Sequence, residues 1–159
     1  MSEVLARIET PLNPTEDPEK VLRAIRNLFP KCTPTIARTD ERHAKFEGSV
    51  ARLEDLDNLK SLLRQEAIRD AARKLLFKGV SGSSIVVHLN KQVAFAGKAS
   101  FCERYDESPL GPITLTITTE NPEQLIDWLA PSSRSRRQIE DHTARASSRS
   151  ERSGQFERS

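Results

Sequence analysis

The sequence predicts an α+β domain, an antiparallel or mixed sheet packed with helices. Three observations carry that expectation. Ile113, Leu115 and Ile117 alternate with Thr114, Thr116 and Thr118, the period of a strand with one buried face, in residue types that favour strands. Asp17 and Pro18 open a run in which Val21, Leu22, Ile25, Leu28 and Phe29 fall on one side of a helix. Strand-like segments also follow one another across polar connections, with few helices between them, which disfavours a doubly wound parallel sheet.

The elements follow in order. Val4, Ala6 and Ile8 alternate against Glu3, Arg7 and Glu9 and predict a first strand. Pro11 and Pro14, lacking a backbone donor, are expected to prevent its continuing as a central strand. The first helix starts with Asp17 as N-cap and Pro18 at the first helical position, and Pro30 ends it. Residues 35–39 and 44–53 predict two strands joined by the turn Asp40-Glu41-Arg42, with Phe46, Gly48 and Val50 on one face.

Residues 54–78 read as helical, but at roughly 100° per residue their apolar positions make two stripes. Leu56, Leu59, Leu62 and Leu63 form one; Ile68, Ala72, Leu75 and Leu76 form the other, rotated by about half a turn. Either the helix breaks near Arg64-Gln65, or its halves pack against different elements, a partner subunit among the options. After the flexible Lys78-Gly79-Val80-Ser81-Gly82, the alternation of Ile85, Val87 and Leu89 predicts another strand, interrupted at Asn90. Residues 89–112 read as polar, turn-forming chain with a short strand around Ala99 and Phe101. The last helix is capped by Asn121, opens at Pro122, has Gln124 placed for a capping box, and carries Leu125, Ile126, Trp128 and Leu129. Pro131 marks the boundary.

A chain of 159 residues is long enough for one domain that buries roughly two-thirds of its unfolded surface. No apolar run approaches the roughly 20 residues a membrane-spanning helix needs, so no membrane association is expected. The opening MSEVLARIET lacks a secretory signal's apolar stretch and cleavage site. Cys32 and Cys102, outside any CxxC pair, read as reduced thiols of a cytoplasmic protein. Residues 132–159 hold seven Arg, eight Ser and four acids, which leaves residues 1–131 with 18 basic and 19 acidic side chains, a net of −1. The expectation is a single domain over 1–131 and a disordered Arg/Ser-rich tail over 132–159, because so few apolar side chains cannot offset the entropy of ordering it. Such a tail is suited to phosphate contacts.

No GxGxxG, GxxxxGK[ST] or HExxH motif is present. His43, His88 and His142 are scattered without ligand spacing, and Glu103, Asp106 and Glu107 read as a solvated loop beside Ser108-Pro109. Cys102 reads as a small sheet residue. No catalytic residue, cofactor or metal is therefore assigned. Lys91, Lys98 and Arg104 share one stretch with Phe95, Phe101 and Tyr105, the mixture that serves phosphate contact and base stacking, although Phe95 and Phe101 read better as core. Arg69 and Arg73 add an i, i+4 pair near Glu66 and Asp70. These five cations, Lys91, Lys98, Arg104, Arg69 and Arg73, are the candidate nucleic-acid contacts.

Four blocks, LNPTEDPEKV at 12–21, LLRQEAIRDAARKLL at 62–76, LNKQVAFAGKASF at 89–101 and ESPLGPI at 107–113, together resemble the small archaeal family catalogued as Uncharacterized Protein Family 0201, over nearly all of residues 3–130. The resemblance implies an α+β domain similar to the ribosomal protein that binds 5S RNA, a distant kinship with domains proposed to bind RNA, and an archaeal cytoplasm. It brings no catalytic residues. The expected function is a non-enzymatic, RNA-associated module. The alternative is a protein-interaction or assembly subunit, homo-oligomeric or with another protein, using the apolar stripe of residues 56–76; an enzyme of unrecognised type comes third.

Overall fold

Val4–Leu12 forms β1 at the middle of the sheet in the computed structural model, which describes residues 4–64, 66–108 and 110–132. The tail expected beyond residue 131 lies, apart from Ser132, outside the described residues. Seven strands among the described residues run in the order β2-β3-β1-β7-β5-β4, with β6 also on β5. They are β2 Thr35–Arg38, β3 Ala44–Val50, β4 Val80–Ser81, β5 Ser84–Leu89, β6 Phe101–Cys102 and β7 Ile113–Thr119. Every pairing is antiparallel, which decides between the antiparallel and mixed alternatives.

Alternation fixes the two faces. Ala6 stands opposite Val50 and Ile117, and Ile8 opposite Gly48 and Leu115, all on the face that the helices cover. One residue along, Leu5, Arg7, Val86 and Thr118 point to the other face, which is exposed. β1 continues through Pro11 to Leu12, further than its prolines suggest, pairing with Lys45 and Ala44 of β3. Pairing with β7 stops at Glu9 and Thr114, so Pro11 sits where β1 has a neighbour on one side only.

The first helix, α1 (Pro18–Leu28), begins as expected. Asp17 Oδ1 accepts the Glu19 N–H at 3.0 Å, and Val21, Ala24, Ile25 and Leu28 turn into the core. The segment with two stripes resolves into a 3₁₀ turn at Leu53–Leu56, α2 at Asp57–Leu62 and α3 at Glu66–Lys78. The break lets Leu56, Leu59 and Leu63 enter the core from one piece and Ala72 and Leu76 from the other. Most of both stripes is thus buried within this chain, while Leu62 and Ile68 stay half-buried. Leu75 is only half-buried, since Leu76 takes the inward position.

Gly79 joins α3 to the β4–β5 hairpin. Its N–H closes the helix on Leu75 O at 3.0 Å while its carbonyl accepts Val86 N–H at 3.0 Å, and a Cβ there would collide with the Val86 carbonyl oxygen. The last helix, α5 (Pro122–Leu129), has the Gln124 N–H bonded to Asn121 Oδ1 at 3.1 Å and buries Leu125, Ile126 and Leu129. Trp128 stays half-buried, with the Lys60 ammonium of α2 4.5 Å from its ring centroid. Cys32 and Cys102 are free thiols, both buried. No helix among the described residues is long and apolar enough to cross a membrane.

Candidate nucleic-acid interface

The stretch read from sequence as polar connection contains a helix, α4 (Lys91–Phe95). Asn90 Oδ1 accepts the Val93 N–H at 3.0 Å and starts it. Asn27 of α1 donates from Nδ2 to Ala94 O at 3.0 Å and Phe95 O at 3.1 Å, so the last carbonyls of α4 are satisfied by a neighbouring helix. Five residues would not hold a helix alone; α1 holds this one.

Lys91 is the largest departure from expectation. It is 4% exposed, and its ammonium donates to Pro11 O at 2.8 Å, Leu110 O at 3.1 Å and both carboxylate oxygens of Glu16 at 3.1 Å. Glu16 is held in turn by the Asn13 backbone N–H and Nδ2 at 3.0 and 2.7 Å. Burial pushes the Lys91 ammonium below its ordinary range, and Glu16 pulls it partway back. Lys91 therefore pins the end of β1, the approach to α1 and the 104–112 loop together, and it has no donor to give a phosphate. The bonds also account for the backbone of Leu110, at φ 65° followed by Gly111 at φ 89°. That left-handed turn aims the Leu110 carbonyl at Lys91 Nζ and at Asn13 Nδ2, 2.8 Å away.

Arg69 and Arg73 are also withdrawn from the surface. Arg69 is 4% exposed, with a long 3.5 Å bond to Arg64 O. Arg73 donates to Ala130 O at 3.0 Å, pairs with Asp127 at 2.7 Å and lies over Phe77. Both tie α3 to its surroundings. Lys98 and Arg104 are exposed; Arg104 pairs with Asp106 at 3.4 Å in solvent, an interaction of small energy. Glu107 caps its own turn, accepting the N–H groups of Arg104 and Glu103.

What sequence reading missed is a surface made by α1 and α4 together. Phe95, assigned to the core, is 39% exposed. The Arg23 guanidinium lies 5.9 Å from its ring centroid, and Lys20 is exposed one turn earlier on α1. Between the helices is an open hollow of about 280 Å³ lined by Glu16, Lys20, Val21, Lys91, Gln92 and Phe95. Lys20 and Arg23 at i, i+3 were legible as neighbours; Phe95 was not, because its place depends on a helix that Asn90 announces only weakly. A larger hollow of about 530 Å³ lies at the opposite end of the sheet, around Val4, Leu5, Ser83, Thr118 and Glu120, and none of its lining residues is a cation.

His88, on the exposed sheet face, has Nδ1 3.0 Å from Thr114 Oγ1 and meets the Tyr105 ring edge-on at 5.5 Å. Burial holds its imidazole below the ordinary value near 6.5. The unfolded chain therefore binds more protons just below pH 6.5, and the stability that neutral His88 contributes above that pH is lost as pH falls through its folded pKa. His88→Gln is expected to shrink the drop in Tm between pH 7 and pH 5; an unchanged drop would show that the imidazole charges freely in the folded protein.

Helices cover one face of an antiparallel sheet in an α+β domain, with an aromatic ring and cations exposed on the helical side, and a family model described as RNA binding matches residues 6–119. The chain belongs to the archaeal UPF0201 family. It is 43% identical over 127 residues to a UPF0201 protein of Sulfolobus acidocaldarius, covering 78% of this chain and 85% of that one. Identity to the UPF0201 protein of Aeropyrum pernix is 41% over 133 residues, covering 82% and 87%. The crystal structure of the Methanococcus jannaschii UPF0201 protein superposes with a TM-score of 0.71 at 35% identity, over 80% of this chain and 99% of that chain.

Proposed function

We propose that this domain is a non-enzymatic, cytoplasmic RNA-binding module whose folded contact surface is the α1–α4 face. The observation that carries the proposal is an exposed Phe95 ring, held on a helix that Asn27 and Asn90 fix in place, beside exposed Lys20 and Arg23. Cations for phosphates next to an aromatic platform for bases are the two parts that single-strand binding needs. The description of the matched family model supports the same reading. Because residues 1–131 carry a net −1, attraction is local to this face, and the Arg-rich residues 132–159 would add phosphate contacts of their own.

Exchanging Lys20 and Arg23 together for Ala in the full chain is expected to weaken RNA binding about equally across sequences. It should lower the slope of log affinity against log salt by roughly 1.4, at about 0.7 for each lost single-strand contact. Fluorescence anisotropy across a salt series reads both; an unchanged slope with an unchanged Tm would place RNA contact elsewhere.

A second reading, a protein partner or a second copy, is favoured by the exposed sheet face, where Leu5 and Val86 lie uncovered among Arg7, Thr114, Thr116 and Thr118. A Leu5→Lys variant that sediments as a smaller species than the parent would support it.

A further inference from the structure

We infer that the hollow between α1 and α4 receives one unpaired base of a single strand, stacked on Phe95, while Lys20 and Arg23 hold the phosphates on either side of it. This rests on the RNA-binding reading and narrows it to a ligand class.

Size is the first argument. A hollow of about 280 Å³ corresponds to about nine waters at roughly 30 Å³ each, the scale of a planar base of about ten heavy atoms and far below that of a helix. Charge is the second, and it decides which part of a nucleotide enters. Glu16 lines the hollow, and its Oε1 already accepts from Asn13 N, Asn13 Nδ2 and Lys91 Nζ, whereas among the described residues Oε2 accepts from Lys91 alone. Lys91 also lines the hollow but is paired with Glu16, so neither offers a phosphate a free charge, while Glu16 Oε2 can accept from the N–H edge of a base. Lys20 is exposed and itself lines the hollow, and exposed Arg23 lies by the Phe95 ring, so both cations flank the position of a stacked base where its phosphates would run.

Rigidity is the third. Phe95 closes a helix whose first turn is capped by Asn90 and whose last carbonyls are bound by Asn27, and Arg23 lies against the ring. Little ordering of the protein is needed when a base stacks, which is the condition under which an aromatic platform binds well. A duplex cannot use the hollow without extruding a base, which costs a few kcal/mol.

The test measures anisotropy of the full chain with a labelled unstructured ten-nucleotide RNA and with a blunt RNA duplex of the same length. Phe95→Ala is expected to weaken single-strand binding about 5- to 150-fold, the range of base stacking on aromatics, while leaving the salt slope and duplex binding unchanged. Phe95→Trp should retain single-strand binding, and it keeps the test decisive if Phe95→Ala folds poorly. If Phe95→Ala weakens both RNAs equally or neither, while the Lys20 and Arg23 substitutions weaken both, the base-in-hollow inference falls and RNA binding by this face stands. If the unmodified chain binds no RNA at low salt, both fall.

Discussion

Replacing Lys91 by Met is expected to destabilise the domain by about 3–5 kcal/mol, because it removes one member of a buried ion pair and leaves the other charged. Glu16 would keep its two bonds from Asn13 but lose its counter-charge, and the carbonyls of Pro11 and Leu110 would each lose a donor. The loss gathers in one place: the end of β1, the start of α1, the head of α4 and the left-handed turn at Leu110 and Gly111 all meet at this ammonium. Urea unfolding monitored by far-UV circular dichroism measures the change. Replacing Glu16 by Gln in the same chain should recover part of the loss by discharging the orphaned carboxylate, though not the part due to the two carbonyls. A Lys91→Met chain within about 0.5 kcal/mol of the parent would mean that water reaches the site and shares those bonds. Any fall in RNA affinity on altering Lys91 is then to be read as lost structure, since its donors are already taken.

Leu59→Ala and Leu76→Ala are each expected to cost about 2–5 kcal/mol, the range for a large aliphatic side chain removed from a core that only partly closes around the gap. Both side chains are fully buried, one from α2 and one from α3, on the two sides of the break between them. Leu75→Ala should cost clearly less, because Leu75 is half-buried beside the β5 edge. The ordering, with Leu76 above Leu75, is the sharper test: the reverse order in denaturant unfolding would mean that α3 is rotated by about one residue, roughly 100°. Neither Leu59 nor Leu76 is expected to alter self-association, since both belong to this chain's own core.

Most of the fold was legible because it is written in local patterns. β7 follows strict alternation and β1 and β5 follow it apart from the outward Leu5 and Val86, and α1 and α5 each carry a cap, a proline at the first position and one apolar face. The two stripes of residues 54–78 were a conflict of periodicity that a break could resolve, one of two alternatives, and α2 and α3 are separate helices. Legibility ended where position depends on distant residues. Lys91 looks like any loop lysine until β1 and the 104–112 loop bring two carbonyls and Glu16 around it, 75 residues away in sequence from that carboxylate. Phe95 looks like core until α4 is seen lying on α1 with its ring outward. Arg69 and Arg73 read as an available i, i+4 pair because a helix pattern says which residues share a side, not which side is covered. Pro11 misled in the other direction, since the rule against proline applies to a strand with two neighbours and β1 has only one at that point.

The pairing of Ala6 with Ile117 at the centre of the sheet has a consequence for how the protein is made. Of the seven described strands the earliest pairs with the latest, so one edge of β1 waits through the synthesis of more than a hundred residues. At roughly 5–20 residues per second, that interval is on the order of 5–20 s. During it the β1–β3 pair has one bare edge, and α1 has only part of the surface it will cover. Contacts so remote in sequence raise the contact order and slow closure of the sheet. Shortening the chain before residue 113 therefore removes more than an end strand: it leaves the middle of the sheet without a neighbour, a nascent state suited to chaperone capture.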